Sequence, residues 1–190
     1  FDWRGAMTFM FGLVSLLVVL NRGQEWGWLT PASIALFLFS IVMLGWFVRI
    51  ERSTNSPMLD LSLFEHKTFS FSVLSALLNY VSMYAIIFLL PFYLIQGRGF
   101  NPAEAGLILT AQPIVMAIIA PISGFLSDRI SPRLLATAGM AILAFGLWQL
   151  AQLGETSSTQ TIVIALVTAG FGTGMFISPN TSALLGSAPR

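Results

Sequence analysis

The segment Gly124-Phe-Leu-Ser-Asp-Arg-Ile-Ser-Pro-Arg133 crowds one carboxylate and two guanidiniums into a short turn. An arginine–carboxylate contact is a strong, charge-assisted hydrogen bond. A pair formed by Asp128 with Arg129 or Arg133 can therefore be made in one packing of the flanking helices and broken in another. Asp128 also precedes a helix start, where the macrodipole favours negative charge. Gly124, Asp128, Arg129 and Arg133 are the candidates for such a conformational latch. The same residues also read as a solvated turn.

A second set suits the binding of a small molecule. Ser72, Ser75, Asn79 and Ser82 recur at spacings of three or four, and Tyr80, Tyr84 and Phe88 form an aromatic stripe beside them. Gln112 and Met116 share one helix face, as do Phe171 and Met175. Amides and phenols supply a few directional hydrogen bonds, while Met and Phe repack around varied apolar ligands. Asn79, Tyr80, Met83, Tyr84, Phe88, Gln112, Met116, Phe171 and Met175 are the candidate substrate-cavity residues. The alternative is that Ser and Asn bond from helix to helix, worth about 0.6 kcal/mol per contact in membrane bundles.

The glycines at 170, 172 and 174 imitate a phosphate-loop spacing, but they lie inside an apolar run without the strand that such a loop requires. Gly170 and Gly174 read instead as a small-xxx-small pair for close helix packing. There is no cysteine, and the lone histidine, His66, sits between Glu65 and Lys67 as a solvated side chain. No spacing suits a metal or a cofactor. No nucleophile stands with a base, and the acids Glu51, Asp60 and Glu65 are scattered, which disfavours a membrane enzyme.

These residues need elements to hold them, and the composition says of what kind. Of 190 residues 56% are apolar and 9% charged, where a soluble domain carries about 25% charge. A net charge of +1 offers nothing to nucleic acid. A helix crosses a bilayer in roughly 20 apolar residues. Six such runs occur, at about 5–20, 31–48, 69–95, 103–126, 132–153 and 160–180, so the expected fold is an all-α membrane protein, a polytopic helical bundle of six spans. All eight acids and nine bases fall between these runs or in their end turns, as the cost of charge at bilayer depth demands.

Seven bases, Arg4, Arg49, Arg52, Lys67, Arg129, Arg133 and Arg190, lie on one side, against Arg22 and Arg98 on the other. The positive-inside rule makes the first side cytoplasmic, with residues 1 and 190 both there, in the cell (inner) membrane. The five tryptophans fall near span ends, where their rings prefer the headgroup level. Thr30-Pro31, Asn101-Pro102 and Ser131-Pro132 each pair a capping residue with a proline at a helix start, and Glu104 completes a capping box with Asn101. Pro91, Pro113 and Pro121 predict bends, because proline removes a backbone donor.

The 124–133 turn resembles the Gly-x-Leu-Ala-Asp-Arg-x-Gly-Arg/Lys motif of the major facilitator superfamily in its second-half copy. Gly124, Leu126, Asp128, Arg129 and Arg133 match; Ser127 and Ser131 depart from the usual Ala and Gly. Phe1-Asp-Trp-Arg-Gly5, Gly23-Gln-Glu-Trp-Gly-Trp28, Pro57-Met-Leu-Asp-Leu-Ser-Leu-Phe64 and Asn101-Pro-Ala-Glu-Ala-Gly106 resemble the fourteen-helix drug/proton antiporter branch.

That resemblance implies an internal fragment: residues 1–52 a linker pair of helices, 53–68 a cytoplasmic loop, and 69–190 the first four helices of the second transporter half. It implies proton-coupled export of small amphipathic substrates by alternating access, with the third, fourth and sixth spans facing the pathway. No ionisable side chain lies at depth here, so the proton would travel through residues outside these 190. A twelve-helix facilitator for sugars or small metabolites and a non-transporting scaffold are the competing expectations.

Overall fold

In the computed structural model residues 2–54 and 57–186 are described. The expectation that residues 1 and 190 are cytoplasmic concerns positions outside them. The described residues form helices and turns without a strand, and six of the helical stretches are long and apolar enough to cross a membrane. Contacts divide the chain into two compact units, Phe1–Leu63 and Phe64–Arg190.

The first unit is an antiparallel hairpin of α1 (Trp3–Trp26) and α2 (Pro31–Ser53). Helix α1 is longer than the 5–20 run because its polar end continues the spiral past the apolar stretch, with an exposed Arg22–Glu25 ion pair one turn apart. Gly27, at φ 84°, ends it; only glycine adopts that conformation without strain. Thr30 accepts a hydrogen bond from the Ser33 amide and so caps α2, with Pro31 in its first turn. Between the helices, Ser40 Oγ donates to the Gly12 carbonyl at 2.9 Å, and the Phe9 and Phe47 rings meet with centroids 5.1 Å apart.

The hairpin's open end holds a buried acid. Glu51 is only 4% exposed; its Oε2 accepts from the Leu59 amide at 3.0 Å, while Oε1 has no partner. Asp2 caps α1 by accepting from the Gly5 amide, and its second oxygen is likewise buried and unpartnered. Both free oxygens face Gly5, within 3.0 Å of where a Cβ would stand. Glu51 is thus not one of a scatter of surface acids, because the segment that follows α2 folds back over it.

The second unit is built around α7 (Thr159–Gly186). Half of that helix's apolar window is buried, against 17–22% in the other five spans, because α3 (Lys67–Phe92), α5 (Ala111–Ser127) and α6 (Pro132–Ala151) all pack on it. The fourth span is two helices, α4 (Pro102–Leu109) and α5, broken at Thr110. Pro113 explains the break, since it has no N–H for the carbonyl one turn earlier. Near Pro91, α3 passes into a π-turn at Tyr93–Gly97. Asn101 and Glu104 form the reciprocal capping box that opens α4, whereas Ser131 makes no side-chain cap on α6.

Small residues set the helix spacing. A Cβ at Gly139 would stand 2.8 Å from the Gly172 carbonyl and the Phe176 amide, and one at Gly146 would stand 2.7 Å from the Ala169 amide. On another side of α7, a Cβ at Gly170 would lie 2.5 Å from the Gln112 carbonyl, and one at Gly174 3.1 Å from that of Met116. At the opposite end from Arg133, Tyr93 Oη donates to the Gly154 carbonyl at 2.7 Å, and Arg98 donates to the Ser157 carbonyl at 2.5 Å. That pair ties the end of α3 to the α6–α7 loop.

Candidate functional site

The latch residues sit at the junction of α5 and α6. Gly124 faces α7, where a Cβ would lie 2.8 Å from Ser178 Oγ. Asp128 is exposed, and its carboxylate makes neither a hydrogen bond nor an ion pair with any described residue. The Arg129 guanidinium lies over the Phe125 ring, 4.5 Å from its centroid, a cation–π contact. Arg133, in the first turn of α6, donates through Nη2 to Thr68 Oγ1 at 2.9 Å, joining α6 to α3. The carboxylate is therefore unpaired in this state, and both arginines are engaged elsewhere. The physical reason is placement: Asp128 occupies the carboxyl end of α5, three residues ahead of the α6 cap position at Ser131, so it does not meet the positive end of α6.

The polar and aromatic stripes of α3 do not line one cavity; the structure separates them. Ser72 and Asn79 are buried, with Asn79 only 2% exposed. The Ser72 carbonyl accepts from Asn180 Nδ2 of α7 at 3.2 Å, and Asn79 Nδ2 approaches Met140 Sδ of α6 at 4.0 Å. Tyr80, Tyr84 and Phe88 are more than half exposed, away from that packed face. A helix advances about 100° per residue, so the serine–asparagine stripe and the aromatic stripe are nearly opposed rather than adjacent.

What the structure does bring together is a cavity of ≈ 340 Å³ between α3 and the α4–α5 span, with Met83, Ile87, Gln112 and Met116 in its wall. Tyr80, Met83, Tyr84 and Ile87 follow the i, i+3, i+4, i+7 spacing of one helix face, which continues the cavity onto the exposed side of α3. Gln112 is 5% exposed, and its amide nitrogen finds no acceptor. A buried unpaired amide costs free energy unless something else accepts its hydrogen. Within apolar walls it is the kind of directional group that orients a ligand. Phe171 and Met175 lie on α7 outside this cavity, and the Met175 carbonyl accepts from Ser123 Oγ at 2.7 Å.

Gly170 and Gly174 let the α5 backbone approach α7. The partner seam of Gly139, Gly146 and Gly172 was not singled out from sequence; the seven-residue spacing of Gly139 and Gly146, two turns of one face, is the signal that marks it. The sequence also gave no sign that Glu51 is buried. No group of three or more His, Cys, Asp or Glu side chains suited to a metal occurs among the described residues.

Comparison with known proteins bears on what this geometry belongs to. A family profile described as Major Facilitator Superfamily matches residues 72–190. The riboflavin transporter RibZ of Clostridioides difficile is 32% identical over 190 residues, all of this chain and 40% of its own. The multidrug resistance protein Stp of Mycobacterium tuberculosis is 26% identical over 189 residues, covering 100% of this chain and 35% of its own. The multidrug transporter protein MdtP of Bacillus subtilis is 29% identical over 185 residues, 97% of this chain and 34% of its own. This chain thus spans about two fifths or less of these relatives' lengths. Six long apolar helices make it a multi-pass membrane protein, and the profile match over most of its length shows that it belongs to the Major Facilitator Superfamily.

Proposed function

We propose that these residues are part of a secondary transporter that exports small amphipathic compounds by alternating access, coupled to protons. Residues 1–52 would be the linker helices of a fourteen-helix carrier and 69–190 the start of its second half, moving substrates across the membrane without altering their bonds. The observation that carries the reading is the cavity between α3 and the α4–α5 span, where the unpaired Gln112 amide is flanked by Met83 and Met116. Polarizable thioethers tolerate ligands of many shapes, while one amide fixes orientation without demanding a particular partner. Relatives named for multidrug transport support that class. With no ionisable group deep in the spans, the proton-carrying acid is assigned to the rest of the protein.

A second reading is transport of a flavin-like aromatic heterocycle, favoured by the 32% identity to RibZ along the whole chain. The full-length protein in proteoliposomes separates the two. Movement of a cationic dye that follows an imposed pH gradient and stops with a protonophore is the expected result. Gradient-driven riboflavin movement without dye movement would replace export of amphipathic compounds with the second reading, and movement of neither would reject both. Gln112→Leu is expected to change the order of preference among dyes while leaving the amount of inserted protein unchanged.

A further inference from the structure

Where α3, α6 and α7 end near Lys67 and Arg133, a cavity of ≈ 470 Å³ opens between them. Its mouth holds the two cations and the Thr68 hydroxyl, and its inner wall is made by Phe71, Met140 and Phe176. A second cavity shares Thr68 and Arg133 and extends along α7 past Ala183. No Asp or Glu lines either one. Arg133 has five N–H donors on its guanidinium, and among the described residues only Thr68 accepts from it. The Lys67 ammonium makes no hydrogen bond or ion pair with a described residue. Phe71 is 65% exposed, so the apolar wall is continuous with the surface that faces hydrocarbon.

Two cations with no counter-ion among the described residues, beside an apolar wall and at the ends of three membrane spans, match the two halves of a lipid. We propose that this cavity binds an anionic glycerophospholipid of the adjoining leaflet. The phosphodiester lies between the Lys67 ammonium and the Arg133 guanidinium, and an acyl chain lies against Phe71, Met140 and Phe176. Thr68 holds Arg133 in place from α3, so the bound headgroup bridges α3 and α6. A soluble phosphate would use the cations but not the wall. A zwitterionic lipid would use the wall but bring its own cation to the headgroup position. Basic pockets between membrane helices are established sites for anionic headgroups, worth on the order of fivefold in affinity per cation. The inference depends on the chain's membrane setting and not on what the protein transports.

Native mass spectrometry of the full-length protein, delipidated in detergent, tests this, with thermal unfolding as a second readout. The probes are phosphatidylglycerol, phosphatidylcholine and glycerol 3-phosphate. The expected result is a retained phosphatidylglycerol that raises the unfolding temperature, with little effect of the other two. Lys67→Gln, an exposed change that leaves the fold intact, is expected to weaken retention about fivefold, and adding Arg133→Gln to weaken it further. Equal retention of phosphatidylcholine would overturn the proposal. Equal binding of glycerol 3-phosphate would convert the cavity into a soluble-anion site, and undiminished phosphatidylglycerol in the double variant would place any bound lipid elsewhere.

Discussion

At the level of single side chains, Asp128 and Glu51 form a contrast. Asp128 is exposed, and its carboxylate has no hydrogen-bond or ion-pair partner among the described residues; as a latch it would engage in a different packing of α5 and α6. Asp128→Asn is therefore expected to lower dye efflux severalfold while leaving the unfolding temperature of the present state unchanged. An unaltered efflux rate at normal abundance would remove the latch role. Glu51 is the reverse, buried with one oxygen satisfied by Leu59 and the other facing Asp2 across Gly5 with no donor. Glu51→Gln keeps the acceptor for the Leu59 amide and removes a buried charge, replacing an oxygen that has no donor by an N–H group on the side where the unpartnered Asp2 oxygen also stands. It is expected to stabilise the hairpin by about 1 kcal/mol, whereas Glu51→Ala strands the Leu59 amide and destabilises by a similar amount. Thermal unfolding of the full-length variants reads both signs.

Among the helices, α7 is held by backbone proximity on two sides, and its glycines divide sharply in what they tolerate. A Cβ at Gly172 meets the Leu143 amide of α6 and stands 2.7 Å from the Gly139 carbonyl, whereas one at Gly106 in α4 meets nothing within 4 Å. Backbone cannot step aside as a side-chain tip can. Gly172→Ala is accordingly expected to cost about 1–3 kcal/mol by overpacking, and Gly106→Ala to be neutral or stabilising by up to about 1 kcal/mol through helix propensity. Matching unfolding temperatures for the two variants would contradict this account of the α6–α7 seam. The same seam shows where sequence ran out. Apolar run length located all six spans, and Pro113 marked the break at Thr110, because both effects act within one segment. Which face of α3 is covered depends on α6 and α7, more than sixty residues away in sequence, so the opposed fates of Asn79 and Tyr84 were not legible. The unpaired state of Asp128 was hidden for a related reason: a turn sequence gives the charges but not the register of its two helices. Glu51 was missed because its cover comes from the fold-back of the 57–63 segment, whose Leu59 amide reaches it across a turn that no local spacing predicts.

For the molecule as a whole, helix directions and charge make one joint demand. Gly170 and Gly174 of α7 face Gln112 and Met116 of α5 in ascending order, so those helices run parallel, while Gly139 and Gly146 of α6 meet Phe176 and Ala169 in descending order, so α6 runs antiparallel to α7. The spans of α5, α6 and α7 therefore alternate in direction, and the turns at 128–131 and 152–158 lie at opposite ends of them. The arginines of the first turn favour the cytoplasm for it, since basic loops are retained on that side. Because none of the 190 residues is cysteine, this stretch adds no background thiol to a labelling experiment. In a full-length protein whose other cysteines are replaced, Ser131→Cys and Glu155→Cys introduce one thiol each at exposed positions. A membrane-impermeant maleimide added to intact spheroplasts is expected to label Glu155→Cys at once, and Ser131→Cys only after the membrane is opened. Labelling of both from outside would break the alternation and with it the six-span fold; the reversed pattern would keep the fold but invert its orientation, placing the Lys67–Arg133 cavity in the outer leaflet.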